Sequence, residues 1–362
     1  MPERIYRLRR AIEDSPQQVG KYKLTALPSP WDPRDYQYAI LAKAKGPIQL
    51  PRKTNYRANM PPAFDQSKYL SLGTCVAAAE AWGPKAMQEL SQGDYPAEGL
   101  SVAYLYRLCK ALDGIPGTPG TYPRIVKKVL QQYGVVPEAS LRYSTLQDDK
   151  NLTPPPDELH EAAKQYKIET YAQIVSPTDQ DYNTRINILR EAIAREGPIL
   201  AALLVCESFM DVKPPHYIIP YPGGYLLGGH AVCLCDYDDD RQSFLLRNTW
   251  GEDWGDKGYA WLPYDWVTKY TDPTGYGHRL PFFQEAWTSV DIVVPRRAKS
   301  IKFKPGRKTA LVDGVEILLD QEPVIIPETG RMMVPVRSFG NNAGYLVQYD
   351  EKTGEAEYIT PN

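Results

Sequence analysis

One thiol, one imidazole and two carboxamides stand where they could share one reaction. Cys75 closes the polar loop Phe64 to Thr74 and opens a run of strong helix formers, Val76 to Trp82. The first N–H groups of a helix lack internal partners, and the helix dipole places partial positive charge there. Both favour a thiolate, the reactive form of cysteine. Gly73 lets the backbone turn tightly into the helix. Gln66 carries an amide donor of the kind that stabilises an oxyanion. His230 lies 155 residues after Cys75, at the head of the apolar run Ala231 to Cys235, and Asn248 follows the run Ser243 to Arg247. An imidazole can take the thiol proton and later protonate a leaving amine. A carboxamide oxygen can hold that imidazole in orientation. The chemistry is acyl transfer through a thioester, and it needs no cofactor and no metal. The other reading of the Cys75 stretch is a buried structural cysteine capping an Ala-rich helix.

The elements that must position these groups can be read from periodicity. A helix begins at Cys75 and breaks at Gly83-Pro84, where proline would remove a hydrogen bond and clash with the preceding turn. Helical spacing recurs over Ser101–Leu112, Ile125–Tyr133, Glu158–Lys167 and Asn187–Arg195. The period then changes. Ile199 to Cys206, Ala231 to Cys235 and Ser243 to Arg247 read as strands, the last two as an antiparallel hairpin. If His230 and Asn248 lie on paired strands they meet, and Cys75 Sγ should lie roughly 3–4.5 Å from a ring nitrogen. Helices first and strands second argue for an α+β fold with a helical lobe against an antiparallel β lobe.

The 362 residues predict more than one domain. Residues 1–48 read as an N-terminal extension wrapping the main domain, and they are not a long inhibitory propeptide. The main domain spans 49–295. A basic, polar linker over 296–308 leads into a small domain, 298–362. In it Thr309–Val312 and Val315–Leu319 flank Asp313-Gly314, a strong hairpin signal. Further strands are expected at Pro323–Ile326, Met332–Val336, Leu346–Tyr349 and Glu355–Ile359, with a short helix over Arg337–Ala343.

A net charge of −2 gives no reason to expect a nucleic-acid partner. The N-terminus lacks the apolar core of a secretory signal, and no stretch approaches 18 apolar residues, so no membrane span is expected. The odd count of five cysteines, Cys75, Cys109, Cys206, Cys233 and Cys235, reads as free thiols in a reducing, cytoplasmic setting. Asp236, Asp238, Asp239 and Asp240 read as a solvated turn rather than a cation site.

Three blocks carry a resemblance. Gln66 with Gly73-Thr74-Cys75, Gly229-His230-Ala231-Val232, and Arg247-Asn248-Thr249-Trp250-Gly251-Glu252-Asp253-Trp254-Gly255-Asp256-Lys257-Gly258-Tyr259 resemble the motif blocks of papain-like cysteine peptidases. The resemblance covers roughly residues 50–270. It implies a two-lobed fold and a peptidase, endopeptidase in type, acting on peptide or protein substrates. It implies Cys75 as nucleophile, His230 as general acid/base and Asn248 as orienter. Gln66 and the Cys75 backbone N–H would form the oxyanion hole. Trp250 resembles the indole that shields the His–Asn contact, and Gly117 and Gly120 the glycines that pair with substrate backbone. The family usually has Cys-Gly-Ser-Cys-Trp at the nucleophile; here Leu72 and Val76 replace its first and last residues. A non-catalytic, peptide-binding relative is the alternative. Residues 298–362 resemble the small domain named after the N-terminal region of copper amine oxidases. No His or Cys follows His278, so copper ligation is not expected there. Binding a partner or a surface, including the cell envelope, is the expected role.

Overall fold

The computed structural model describes residues 3–178, 184–271, 280–290, 300–312, 315–318, 323–326, 331–333, 346–350 and 355–359. The chain divides into two compact units, Met1–Trp31 with Ile48–Val290 and Asp32–Pro47 with Asp291–Asn362. The extension expected over 1–48 is therefore shared. Its first 31 residues go with the main unit and residues 32–47 with the second.

The first unit opens with α1 (Glu3–Glu13), whose Ile5, Leu8 and Ile12 form a buried stripe at helical spacing. The short strands β1 (Gln18–Val19) and β2 (Tyr22–Lys23) pair as a hairpin. α2 (Tyr38–Ala44) belongs to the second unit. The helical lobe holds α3 (Cys75–Trp82), α4 (Pro84–Gln92), α5 (Val102–Leu112), α6 (Pro123–Gln132) and the short α7 (Leu159–Ala163). The β lobe holds β3 (Thr170–Val175), α8 (Arg185–Glu196), β4 (Ile199–Cys206), β5 (Leu226–Asp238), β6 (Ser243–Arg247), β7 (Tyr259–Pro263), the short pair β8 (Tyr270–Thr271) and β9 (Leu280–Pro281), and β10 (Phe283–Val290). Six of these strands form one antiparallel sheet in the order β3-β10-β4-β5-β6-β7. The α+β expectation holds.

α3 packs against both lobes, on α4 and α5 on one side and on β5 on the other. Cys75, Val76 and its four alanines are buried, and small side chains let the helix approach β5 closely. The break at Gly83 has a steric cause. A Cβ there would lie 2.3 Å from Ala79 O and 2.8 Å from Cys233 Cβ on β5. Pro84 then takes the first turn of α4, where a missing N–H costs nothing. Glu80 of α3 and Lys127 of α6 are both fully buried and bonded at 2.8 Å. Burial pulls the Lys127 pKa down, and Glu80 opposes the shift. A pair so enclosed fixes the register of two helices, because losing either partner would strand a buried charge.

In the second unit β11 (Ser300–Phe303), β12 (Thr309–Val312), β13 (Val315–Leu318), β16 (Leu346–Asp350) and β17 (Glu355–Ile359) form a sheet ordered β13-β12-β11-β17-β16. The strands β14 (Val324–Ile326) and β15 (Arg331–Met333) pair separately. The hairpin expected around residue 313 is present as the β12–β13 pairing. β11 corrects the expected linker: Ser300–Phe303 is a strand paired on both edges. The helix expected over Arg337–Ala343 lies outside the described residues.

Candidate active site

Cys75 is the first residue of α3, as its sequence context predicts, and its side chain is buried. Thr74 before it is held by a hydrogen bond between its Oγ1 and Tyr143 Oη, at 2.7 Å. The Tyr143 hydroxyl donates at 2.6 Å to the backbone carbonyl of Gln66. One buried phenol therefore ties both ends of the loop that runs from Gln66 to Cys75.

His230 sits on β5 opposite Leu203 of β4, and Asn248 follows β6. His230 Nε2 and Asn248 Oδ1 are 2.7 Å apart in a buried bond. The same Oδ1 accepts the backbone N–H of Thr249 at 2.8 Å, so it is the carbonyl oxygen and Nε2 of His230 is the donor. The neutral ring then presents the lone pair of Nδ1. That nitrogen is buried and makes no hydrogen bond among the described residues. The backbone N–H of Ala231, next to His230, acts on the Cys75 sulfur together with the N–H groups of Val76, Thr25 and Cys75 itself. The His230–Asn248 contact expected from the spacing is present. Trp250 covers the ring, with centroids 4.8 Å apart, and is backed edge-on by Phe209 and Trp254.

Gln66 is buried and fully engaged. Its Nε2 donates to Leu72 O at 2.9 Å and to Lys23 O at 3.3 Å, and its Oε1 accepts from Thr249 Oγ1 at 2.6 Å. Lys23 belongs to the N-terminal segment, which sequence reasoning read only as a wrap. The structure lays residues 22–27 along the residues around the thiol, with the Thr25 N–H the one that acts on Cys75. Tyr22 stacks on Trp250 at 4.3 Å. Gly229 N–H donates to Leu24 O and Ala26 N–H to Gly229 O, at 3.1 and 2.9 Å. Leu27 N–H donates to Thr121 O at 3.0 Å. Thr25 lies against two glycines. A Cβ on Gly73 would meet its Oγ1 at 2.3 Å, and one on Gly120 its carbonyl oxygen at 2.0 Å. Gly120 therefore packs against Thr25, and a Cβ on Gly117 would meet nothing within 4 Å. No periodic signal marks residues 22–27; their fit to the cleft is purely tertiary.

Under this cover Cys75 and His230 are both fully buried. Burial pushes the Cys75 thiol up to about 11 and the His230 imidazole down to about 4, the Asn248 bond opposing the latter. Both groups are neutral at pH 7 in this state. Asp236 lies within β5, buried, and not in a solvated turn: it accepts the backbone N–H groups of Tyr56 and Arg57, while beyond the strand Asp239 pairs with Arg190 and Asp240 with Arg52. All five cysteines are free thiols. No helix among the described residues is long and apolar enough to cross a membrane.

Comparison with known proteins finds relatives for both parts of the chain. Residues 286–358 match the copper amine oxidase N-terminal domain. A peptidase C1-like protein of Acanthamoeba polyphaga mimivirus, itself uncharacterised, is 32% identical over 213 residues, which are 58% of this chain and 67% of that protein. A cathepsin B-like protein of Giardia intestinalis is 37% identical over 83 residues, 22% of this chain and 27% of that protein. Xylellain, a cysteine protease from Xylella fastidiosa, shares the fold: its structure aligns with a TM-score of 0.60 at 24% identity, over 76% of this chain and 98% of its own. Residues 77–269, more than half of the chain, match the papain family cysteine protease model, and the chain belongs to that family.

Proposed function

We propose that the protein hydrolyses peptide bonds through Cys75, as an endopeptidase, and that residues 22–27 cover the site in the state described. The observation that carries this reading is the His230 Nε2–Asn248 Oδ1 bond, which leaves Nδ1 free on the strand whose Ala231 N–H acts on the Cys75 sulfur. With the cover displaced, Nδ1 takes the thiol proton and Sγ attacks the substrate carbonyl carbon. The tetrahedral oxyanion is received by Gln66 Nε2 and the Cys75 backbone N–H. His230 then passes its proton to the leaving amine, and a thioester remains on Cys75. Water, deprotonated by His230, attacks the thioester carbonyl, and the thiol is restored. Asn248 holds the ring in the tautomer this cycle needs, and Trp250 keeps water from the His–Asn bond. Gly120 lines the cleft for an extended chain, as Thr25 already lies against it.

A peptide-binding relative without turnover is the second reading, because the cleft already holds an extended segment of the chain's own. The two readings separate on turnover. Wild type should hydrolyse unstructured peptides and Cys75→Ala should not. Gln66→Ala should lose on the order of 10²–10³ in kcat, the usual cost of one oxyanion donor. Equal hydrolysis by wild type and Cys75→Ala would refute the mechanism; tight peptide binding by both with no turnover would establish the binding module.

A further inference from the structure

The cover brings one cation into the cleft, and the cleft meets it with a buried acid. Lys23 Nζ lies 2.6 Å from Asp149 Oδ2, and the Asp149 side chain is 3% exposed. The same Oδ2 accepts the backbone N–H of Gly73, two residues before Cys75, at 3.0 Å. Tyr106 fixes the acid's backbone: its hydroxyl donates to Asp149 O at 3.0 Å and accepts the N–H of Gly120 at 2.9 Å. Asp149 is thus built into the wall between Gly73 and Gly120, the two glycines against which Thr25 lies. The Lys23 carbonyl, meanwhile, is the one that the Gln66 amide reaches at 3.3 Å. One residue of the cover therefore places its carbonyl at the amide that would hold an oxyanion, and its side-chain cation on Asp149.

When the cover leaves, Asp149 keeps the Gly73 N–H and loses the cation. The carboxylate then faces the cleft without its cation, and a bound chain that supplies a cation restores the pairing that Lys23 makes in the covered state. A charge-assisted bond in such a site is among the stronger ones. We propose that Asp149 is a specificity-determining residue that selects Lys or Arg at the substrate residue whose carbonyl Cys75 attacks. The proposal rests on the peptidase reading and deepens it by naming the substrate class. An uncharged residue at that position leaves Asp149 unpaired, and an acidic one repels it.

The test uses the full chain and two fluorogenic peptides that differ only at the residue before the scissile bond, Arg in one and Gln in the other. Both are assayed with wild type, Asp149→Asn, and Lys23→Gln, in which the cover has lost its ion pair. The ratio of the two kcat/KM values is the readout, because the uncovered fraction of enzyme cancels from it. Wild type and Lys23→Gln should both favour Arg by about ten- to a hundredfold, the range expected for a charged hydrogen bond. Asp149→Asn should bring the ratio close to one while retaining turnover of the Gln peptide. Should Asp149→Asn fail to fold, Asp149→Glu serves: it keeps the charge and should keep a preference for Arg. A ratio near one in wild type and Lys23→Gln, or an Arg preference unchanged in Asp149→Asn, would overturn the proposal and leave the peptidase reading standing. Absence of turnover of both peptides by wild type and Lys23→Gln would contradict the peptidase reading, and this proposal with it.

Discussion

His230 ties the chemistry of the site to the stability of the fold. Its folded pKa is about 4, lowered by burial, against an unfolded value near 6.5. Between these values the unfolded chain binds a proton that the native ring refuses. Stability is therefore lost as pH falls from about 6.5 through about 4, and above 6.5 this penalty is absent. At about 1.4 kcal/mol per unit the loss is on the order of 3 kcal/mol. The thermal midpoint of wild type should fall more steeply over this window than that of His230→Gln, which has no imidazole to titrate; parallel curves would show that the ring is not buried in neutral form. Asn248→Ala removes the acceptor that sets the tautomer. It should lower kcat on the order of 10² with a smaller change in KM, since orientation of the base and not peptide binding is lost. Tyr143→Phe leaves the Gln66 carbonyl and the Thr74 hydroxyl without their shared partner. It should cost roughly 1–3 kcal/mol in denaturant unfolding, the penalty of buried polar groups left unpaired.

At the scale of elements, α3 carries the thiol and β5 the imidazole, and Gly83 sets how closely the two elements pack. Gly83→Ala pushes a methyl group into Ala79 O and the Cys233 side chain. A destabilisation of roughly 1–3 kcal/mol is expected from such overpacking, measured by chemical denaturation. These elements were legible in the sequence because their patterns are local. Alanines and Trp82 mark α3, Gly83-Pro84 marks its end, and the apolar run after His230 marks β5. What escaped has nonlocal causes. β10 reads poorly as a buried strand because it carries Gln284 and Glu285, yet Glu285 is satisfied there by the Ser29 N–H and the Trp287 indole. α1 hides its buried Ile5, Leu8 and Ile12 among arginines. β11 sits in a basic stretch that reads as linker. The cover over 22–27 leaves no periodic mark, since what holds it is the fit of Thr25 between Gly73 and Gly120 and the stacking of Tyr22 on Trp250. The start of α3 at Cys75 and the His230–Asn248 contact were legible by residue type and spacing; that Gln66 would meet a carbonyl of the chain's own N-terminus was not.

At the scale of the molecule, the second unit is assembled from both ends of the chain. Residues 32–47 join residues 291–362, and α2 buries Tyr38, Leu41 and Ala42. Deleting 291–362 should leave hydrolysis of short peptides in place while exposing the apolar face of α2, which an increase in binding of a hydrophobic dye would report. Loss of hydrolysis would mean that the second unit is part of the catalytic core. In the proposed mechanism Cys75 is a nucleophile activated by His230 and shielded by residues 22–27. The most direct measurement is mass-spectrometric mapping of a thiol-directed epoxide at neutral pH on wild type, on His230→Gln, and on Thr25→Trp, whose bulk cannot fit against Gly73 and Gly120. Modification is expected at Cys75 and at none of the other four cysteines, faster in Thr25→Trp than in wild type and absent in His230→Gln. Modification of Cys75 at the same rate in all three, or confined to the other cysteines, would contradict this mechanism.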